Sequence, residues 1–278
     1  MTQTCDTAKS AQRQALLSAY MEGAVLGPGG FCCSSANQCR ISAMAQKQPV
    51  DFAAGQLSHV GKFYDIEEDA IPLRILVIGM ETGRTDSEVS LQMRRRQVLE
   101  SAALMPKDRN PHMIGVTHAL RTLHGYEIGH DPRGELLNLV GSSHPVHIFD
   151  AYAMANVRLC TSVKAGTTQS RPTRVMTANC VRHLEETIRI LQPTVCVVQS
   201  MRIPKALAPI VVRRKQVAPH LAEVEIGGVE TLMAEFSHPT AYAELNWGRW
   251  TNMPYLGGIV VPALREARVC LGLPSLVS

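Results

Sequence analysis

An α/β fold with a mostly parallel central sheet is the fold class that the sequence predicts. Two short, continuous apolar runs, residues 73–78 (LRILVI) and 194–199 (TVCVVQ), have the composition of strands that are buried on both faces. Each run lies near segments of helical composition, and strands that alternate with helices form mostly parallel sheets. Ligands of such sheets bind beyond the carboxyl ends of the strands, so the residues that follow each run are the first candidates for a site.

The other elements follow from local composition. Residues 8–24 look helical and end at the breaker Gly-Pro-Gly-Gly of residues 27–30. Further helices are predicted at residues 87–105, 113–123, 174–191, 203–216 and 258–271, and further strands at residues 146–149, 152–160, 221–226 and 229–236. The last two strands are joined by Gly227-Gly228, which predicts a hairpin. We expect one domain over residues 1–278, with a cysteine-bearing N-terminal extension over about residues 1–45.

The overall composition is typical of a globular chain without a membrane segment. Hydrophobic residues make up 45% of the 278 residues and charged residues 19%, which is enough apolar material for a sizeable core. No apolar stretch reaches the length of about 18 residues that a membrane span needs. The polar N-terminus lacks the apolar core of a signal peptide. We therefore expect a cytoplasmic protein with no membrane partner.

The charge is mildly basic and is clustered. The net charge is +4, and two runs of basic residues occur at 94–96 and 213–215. Such runs are compatible with an anionic partner such as a nucleic acid. Ordinary solvated faces of helices explain them equally well.

Eight cysteines are many for a chain of this length. Disulfides are rare in the cytosol, so grouped cysteines in such a protein suggest a metal site or catalysis. One group contains Cys32, Cys33 and Cys39, and a second contains Cys160 and Cys180. Cys196, inside the apolar run of residues 194–199, is expected to be an ordinary core residue.

Three places beyond strand ends could carry chemistry. Gly79 and Gly83 bracket Glu81 after the first apolar run, where glycines let the backbone approach a ligand closely. Asn156 is an amide in a strand-like segment, and an amide can both donate to and accept from the edge of a base. His238 is followed by Pro239, which restricts the direction in which the histidine is presented. The alternatives are structural: a strand-to-helix turn, a hydrogen-bonded amide and a surface histidine.

Taken together in their order, these motifs resemble the iron–sulfur branch of the uracil-DNA glycosylase superfamily. The segment LVIGMETG is similar to its Gly-Glu-Ala-Pro-Gly motif, and Asn156-Val157-Arg158-Leu159-Cys160 to its Asn-Val-Val-Lys-Cys motif. The segment NCVRHLEETIRILQPTVCVV resembles its cysteine-bearing helix and following strand. His238-Pro239-Thr240 resembles its His-Pro-Ser motif. The resemblance covers about residues 70–245, identifies a divergent member, and implies a three-layer α/β/α fold.

The resemblance also implies roles for individual residues. Asn156 would read the flipped-out base, and His238 would stabilise the negative charge that develops on the leaving base. Glu81 would orient or deprotonate the attacking water. The remaining positions that it implies are Gly79, Met80, Gly83 and Met113 in the base pocket and Thr240, Tyr242 and Arg249 on DNA. Tyr242 would enter the gap that the flipped nucleotide leaves.

A [4Fe–4S] cluster is a further implication of the resemblance. Four cysteine thiolates hold such a cluster. Cys160 and Cys180 match the second pair of cysteines in the family. The first pair is Cys-x2-Cys in relatives, whereas here Cys32 or Cys33 is followed at a longer distance by Cys39. Cys33 with Cys39 is our choice, and Cys32 stays an open alternative.

Two departures from the family leave the preferred base open. A phenylalanine stacks on uracil in relatives, and its position is taken here by His112 or Met113. Thr82 stands where most relatives have proline.

We expect a monomeric DNA glycosylase that releases uracil, hypoxanthine, xanthine or another damaged base. One alternative is a member of the superfamily that binds or covalently traps such DNA without turnover. A second is an unrelated nucleotide-handling α/β enzyme, although the glycine loop is not a P-loop.

Overall fold

The computed structural model describes residues 2–27, 30–82, 89–167, 169–249 and 252–275. Within them, the α-helices are α1 Thr7–Ala24, α2 Ala36–Met44, α3 Leu91–Ala102, α4 Pro111–Leu123, α5 Arg174–Leu191, α6 Ile203–Leu207 and α7 Val261–Cys270. Side-chain caps explain several helix starts: Asp6, Ser90, Asn110 and Thr173 each accept a hydrogen bond from a first-turn backbone N–H. No helix among the described residues is both long and apolar enough to cross a membrane.

The strands form one large sheet and four small ones within the described residues. In chain order they are β1 Gln3–Cys5, β2 Leu26–Gly27, β3 Gly30–Phe31, β4 Val50–Ala53, β5 His59–Val60, β6 Ile66–Glu68, β7 Ile71–Leu73, β8 Ile75–Gly79, β9 Leu136–Leu137, β10 Val146–His147, β11 Ala153–Asn156, β12 Thr161–Lys164, β13 Val195–Gln199, β14 Val211–Ala218, β15 Leu221–Ile226 and β16 Val229–Phe236. The large sheet has the order β14-β15-β16-β13-β8-β11-β5. Its four middle strands, from β16 to β11, run parallel, and the strands outside them pair antiparallel. The prediction of an α/β fold with a mostly parallel central sheet is confirmed.

Helices cover both faces of the central sheet. Every residue of β8 and β13 is buried, and their side chains alternate between two hydrophobic clusters. Val195 and Val197 join the cluster that contains residues of α4 and α7, whereas Cys196 and Val198 join the cluster that contains residues of α1, α5 and α6. Strands covered on both faces need continuous apolar sequence, which is why the two runs were recognisable. Cys196 is fully buried, as expected.

The helix predicted over residues 203–216 is wrong in its second half. Helix α6 ends at Leu207, and β14 begins at Val211 as the edge strand of the sheet. The basic run on this strand is paired with carboxylates of the hairpin: Arg213 with Glu230, Arg214 with Glu235, and Lys215 with Glu223. Cross-strand ion pairs of this kind stabilise an edge strand modestly. This basic run is therefore part of the sheet and is neither a helix face nor a free cationic patch.

The other basic run is also largely engaged in the fold. Arg94 is 5% exposed and donates to the Leu57 carbonyl, and Arg95 forms an ion pair with Asp150.

The hairpin turn between β15 and β16 is confirmed, with positive φ angles at both Gly227 and Gly228. The strands predicted at 146–149 and 152–160 are shorter than expected, because 3-10 turns and loops occupy part of each range.

The N-terminal extension is built into the fold. Strand β1 pairs antiparallel with β6, and both α1 and α2 contact α5. Arg13 of α1 forms an ion pair with Asp65 and donates to the Ile190 carbonyl at the end of α5. Residues 43–70, which had no assignable pattern, supply β4, β5 and β6. Short strands of this kind depend on partners that are distant in sequence.

Candidate functional site

The carboxyl ends of the middle strands place four residues in one row across the sheet. Asn156 of β11 is level with Gly79 of β8, and Gln199 of β13 is level with Phe236 of β16. Val198 is level with Ile78, so Gln199 and Gly79 follow at the same height. The row therefore reads Asn156, Gly79, Gln199, Phe236. This edge is where ligands of parallel sheets bind.

Gly79 is required by the side chain of Asn156. A Cβ atom added at Gly79 would lie 2.7 Å from Asn156 Oδ1, which is a collision. The amide of Asn156 therefore lies directly beside the Gly79 backbone. The two loops that follow are joined as well, since Val157 N donates to Gly79 O and Arg158 N donates to Met80 O, at 2.9 and 3.0 Å. The structure brings the first two predicted motifs together.

Glu81 forms a buried ion pair with Arg158. Arg158 Nε lies 2.9 Å from Glu81 Oε2, and the two side chains are 3% and 4% exposed. Arg158 also donates to Thr177 of α5 at 3.1 Å, which fixes its direction. Glu81 Oε1 is buried without a hydrogen-bond partner among the described residues. Burial raises the pKa of the Glu81 carboxyl, and the charge and hydrogen bond of Arg158 oppose that shift.

Two other predicted loop residues are placed less favourably. Met80 packs partly buried against the cluster of α1, α5 and α6, on the opposite side of the sheet from Asn156 and Met154. Its backbone can therefore contact a ligand at the site, but its side chain faces away. Gly83 lies outside the described residues. Thr82, where relatives have proline, donates to Gln56 Oε1 at 3.1 Å.

The imidazole of His238 is held in one tautomer by Thr240. Thr240 N donates to His238 Nδ1 at 3.1 Å, and the Thr240 hydroxyl lies 2.7 Å from the same nitrogen. Because Nδ1 accepts the backbone N–H, the proton of the neutral ring is on Nε2. Desolvation of the ring by the surrounding elements lowers the pKa of His238. The residue as a whole is nevertheless exposed at the surface. His238 thus presents a neutral N–H donor, and Thr240 positions it.

Pro239 anchors this histidine to the fold. A Cβ atom at Gly115 or at Gly248 would lie 2.8 or 2.7 Å from Pro239 ring atoms, so both glycines are needed to seat it. Trp247 is fully buried, and its indole N–H donates to the Ser237 carbonyl at 2.8 Å. The tryptophan therefore supports the histidine loop and does not face solvent.

His112 lies beside His238. The two rings stack with centroids 6.4 Å apart and planes 27° apart, and His112 Nε2 is 3.5 Å from the sulfur of Met154 on β11. Burial, assisted by the nearby His238, lowers the pKa of His112 to about 4. Met113 instead lies in the core cluster, 5% exposed. His112 and Met113 were the two candidates for the position of the stacking aromatic residue, and the structure places His112 at the site.

The other two residues of the proposed DNA surface follow on the same loop. Tyr242 is 93% exposed, and Arg249 is also exposed. Tyr242 is the most exposed large hydrophobic side chain among the described residues. This exposure suits a residue that enters a partner.

The four predicted cluster cysteines lie close enough to influence one another. The neighbouring Cys180 and burial raise the pKa of the Cys160 thiol, and Cys39 and Cys160 pack in the same hydrophobic cluster. Cys39 and Cys33 also act on Cys160 through their charges. Cys39 accepts a hydrogen bond from Asn179 Nδ2 at 3.5 Å. The structure thus brings residues 33–39 and the α5 region into contact.

Cys33 and Cys32 point in different directions. Cys33 Sγ lies 3.6 Å from His183 Nε2, and His183 Nδ1 lies 2.8 Å from the Tyr20 hydroxyl. Cys32 is exposed, and its sulfur contacts only the Glu22 and Gly23 carbonyls, at 4.0 and 3.9 Å, among the described residues. The position of Cys33 therefore suits the fourth ligand better than that of Cys32 does.

A single metal ion and an iron–sulfur cluster make different demands on their ligands. No group of three or more His, Cys, Asp or Glu side chains in the described part of the chain is arranged around one metal position. A four-iron cluster spreads its ligand sulfurs more widely than one ion does and uses thiolates alone. Cys33, Cys39, Cys160 and Cys180 are the four thiols of this region that could hold such a cluster.

Three residues of this region were missed by sequence reasoning. Arg158 lies inside the Asn156–Cys160 segment, but its partner Glu81 is distant in sequence. His183 follows Cys180 by one helical turn, a spacing that places both on one side of α5. Gln199 ends the second apolar run with a polar residue at the ligand-binding edge, a signal that was present in the sequence.

No protein-family model matches the sequence, and no curated protein matches it. The chemistry of the site must therefore be inferred from its own side chains.

Proposed function

We propose that this protein is a DNA glycosylase with a uracil-DNA glycosylase-like fold, which hydrolyses the N-glycosidic bond of uracil or a related deaminated base. The observation that carries the proposal is the meeting of three predicted motifs at one sheet edge. Asn156 overlies Gly79, Glu81 follows on the same loop, and His238 reaches the β11 strand through His112 and Met154. These segments are far apart in sequence, and the parallel course of β8, β11, β13 and β16 brings them to one edge.

Each group has a defined part in the proposed reaction. The Asn156 amide binds the edge of the flipped base. As the bond between the sugar carbon and the base nitrogen breaks, the base leaves with the electron pair and carries negative charge. His238 Nε2–H donates to that charge, for which a neutral ring fixed by Thr240 is suited. Water adds to the sugar carbon, and its proton passes to the free Oε1 of Glu81 or to solvent.

Arg158 positions the carboxylate for this step. It occupies Oε2 of Glu81 and leaves Oε1 as the carboxylate oxygen without a partner among the described residues. A bound base must be extruded from the duplex, and exposed Tyr242 is placed to fill the gap, with Arg249 beside the backbone. The enzyme would act as a cytoplasmic monomer on DNA.

The proposal includes a [4Fe–4S] cluster held by Cys33, Cys39, Cys160 and Cys180. When bound, it supplies a cross-link between the N-terminal segment and the loop that follows Asn156. A ligating thiolate carries no proton, so His183 Nε2 would donate to the sulfur of Cys33 while Nδ1 faces Tyr20. The cluster has no part in bond breaking in this scheme.

Non-turnover binding is the second candidate, and the Glu81–Arg158 pair is the observation that favours it. Arg158 holds Oε2 of Glu81 and Oε1 is buried, so an attacking water has little access to this carboxylate. Such a protein would bind flipped deaminated bases tightly and release none.

A base panel distinguishes the two. Purified protein is incubated with oligonucleotides that contain one uracil, hypoxanthine or xanthine, in single and double strands, and abasic sites are cleaved with alkali. The matched control is the same oligonucleotide with thymine. Cleavage at the modified base supports the glycosylase, whereas a gel shift specific for that base without cleavage supports the binder. Neither cleavage nor a specific shift would overturn both.

A further inference from the structure

Gln199 is a fully buried carboxamide with no hydrogen-bond partner among the described residues. Its exposure is 0%, and neither Oε1 nor Nε2 is paired. Burying an unpaired amide is unfavourable, since the hydrogen bonds it makes to water are lost without replacement. Such a group is retained where something else supplies its partner.

Other buried glutamines of the chain are paired. Gln3 Nε2 donates to Glu68 at 2.8 Å, and Gln56 Oε1 accepts from Thr82 and Arg94 at 3.1 and 2.9 Å. Gln199 therefore differs from the glutamines that the fold uses as structural links.

The location of Gln199 points to the base site. It stands in the row of Asn156, Gly79 and Phe236 at the carboxyl edge of the sheet. Alternation along β13 places its side chain on the face of Val195 and Val197. Asn156 shares that face, because it follows Met154 of the same cluster by two residues and lies beside the Cβ position of Gly79.

We propose that Gln199 is a second carboxamide that reads the edge of the substrate base, opposite Asn156 across the bare backbone of Gly79. The inference rests on the proposed glycosylase function. An amide presents a donor and an acceptor side by side, which complements a carbonyl oxygen next to a ring N–H. Deamination of an amino-bearing base creates this pairing of groups. The substrate class is therefore a base with such a lactam edge, and two amides on either side of one glycine can engage two edges of it.

Three variants test the proposal. Gln199→Leu removes both hydrogen-bonding groups at similar volume, and Gln199→Glu replaces the N–H donor alone by an acceptor. Cys196→Val is the matched control, because Cys196 is fully buried on the same strand but faces the opposite cluster. The single-turnover rate constant of base release is measured for uracil, hypoxanthine and xanthine, together with the melting midpoint of each protein.

The expected result separates binding from folding. Gln199→Leu should melt at a higher temperature than the wild type, since an unpaired buried amide is removed, yet release the base about tenfold more slowly. Gln199→Glu should be slowed as well, and the ratio of rates between bases should change in both variants. Cys196→Val should keep the wild-type rates and ratios.

Two outcomes overturn the inference in distinguishable ways. If the wild type releases a base and Gln199→Leu releases all three at unchanged rates and ratios, Gln199 does not contact the substrate, and the glycosylase function stands. If the wild type releases none of the three bases, the proposed function fails and this inference fails with it.

Discussion

Glu81 and Arg158 form an ion pair at 2.9 Å that is almost completely removed from solvent, with side chains 4% and 3% exposed. The pair joins the loop after β8 to the segment between Asn156 and Cys160. It therefore links the proposed catalytic carboxylate to the strand that carries Asn156 and to the cysteines beyond it. Breaking a buried pair leaves one charge without compensation, which is far more costly than replacing both partners.

Removal of Arg158 alone should destabilise the protein. We expect Arg158→Met to lower the free energy of unfolding by about 3–5 kcal/mol, because Glu81 is left buried and unpaired. The pKa of Glu81 should then rise further, so the acid limb of any pH–rate profile moves to higher pH. Urea unfolding and rates across pH measure both effects. The double variant Arg158→Met with Glu81→Leu should regain most of the stability, and a double variant as unstable as the single one would contradict the argument.

His238 should carry a large share of transition-state stabilisation. We expect His238→Leu to slow base release about 100-fold or more, since the donor to the developing negative charge is lost. Single-turnover rates on the preferred base are the measurement. His144→Leu, at an exposed loop position, is the control and should leave the rate unchanged. Equal rates for both variants would remove His238 from the site.

Stability should fall with acid because several histidines are buried in their neutral form. Burial lowers the pKa of His124 to about 3, and both of its ring nitrogens are unpaired within the described residues. An unfolded histidine binds a proton below about pH 6.5 while the folded one does not, so stability is complete above that pH and decreases as the pH falls. At pH 5 the loss from His124 is about 2 kcal/mol.

The variant His124→Phe tests this linkage. It removes the titrating group from a buried aromatic position, so the difference in unfolding free energy between pH 7 and pH 5 should shrink by about 2 kcal/mol. Denaturant titrations at the two pH values give this difference. His118 and His59 are buried with pKa values of about 3 and should retain their part of the pH dependence. An unchanged difference would show that His124 is protonated in the fold.

Iron content should distinguish Cys33 from Cys32. We expect Cys33→Ala to lose most of its iron and the absorbance near 400 nm, because Cys33 shares the region of Cys39, Cys160 and Cys180. Cys32→Ala is a matched control one residue away and should keep both. Iron assay and absorption spectra of anaerobically purified proteins are the measurements. Iron lost from Cys32→Ala but kept by Cys33→Ala would reverse the ligand assignment.

Tyr242 should matter for duplexes more than for single strands. Extruding a base from a duplex requires unstacking, and a side chain that enters the gap offsets part of that cost. We expect Tyr242→Ala to slow base release from double-stranded DNA about tenfold and to change the single-strand rate little. Val212→Ala, at another exposed apolar position, is the control. Equal slowing on both substrates would assign Tyr242 to another role.

Local sequence patterns determined several of the helices and strands of this protein. Local composition predicted α5, and continuous apolar sequence predicted β8 and β13. The same reasoning failed at residues 211–218. There the pairing of Arg213, Arg214 and Lys215 with carboxylates of a neighbouring hairpin, and not a local preference, determines the conformation.

The tertiary structure alone decided how the candidate site is composed. Sequence order indicated that Gly79, Asn156 and His238 belong together, but not that Arg158 holds Glu81, that His112 and not Met113 stacks beside His238, or that Gln199 completes the row. Each of these contacts depends on strand register or helix packing between segments far apart in the chain. Such pairings are set by the burial of whole faces against one another, which no local stretch of sequence specifies.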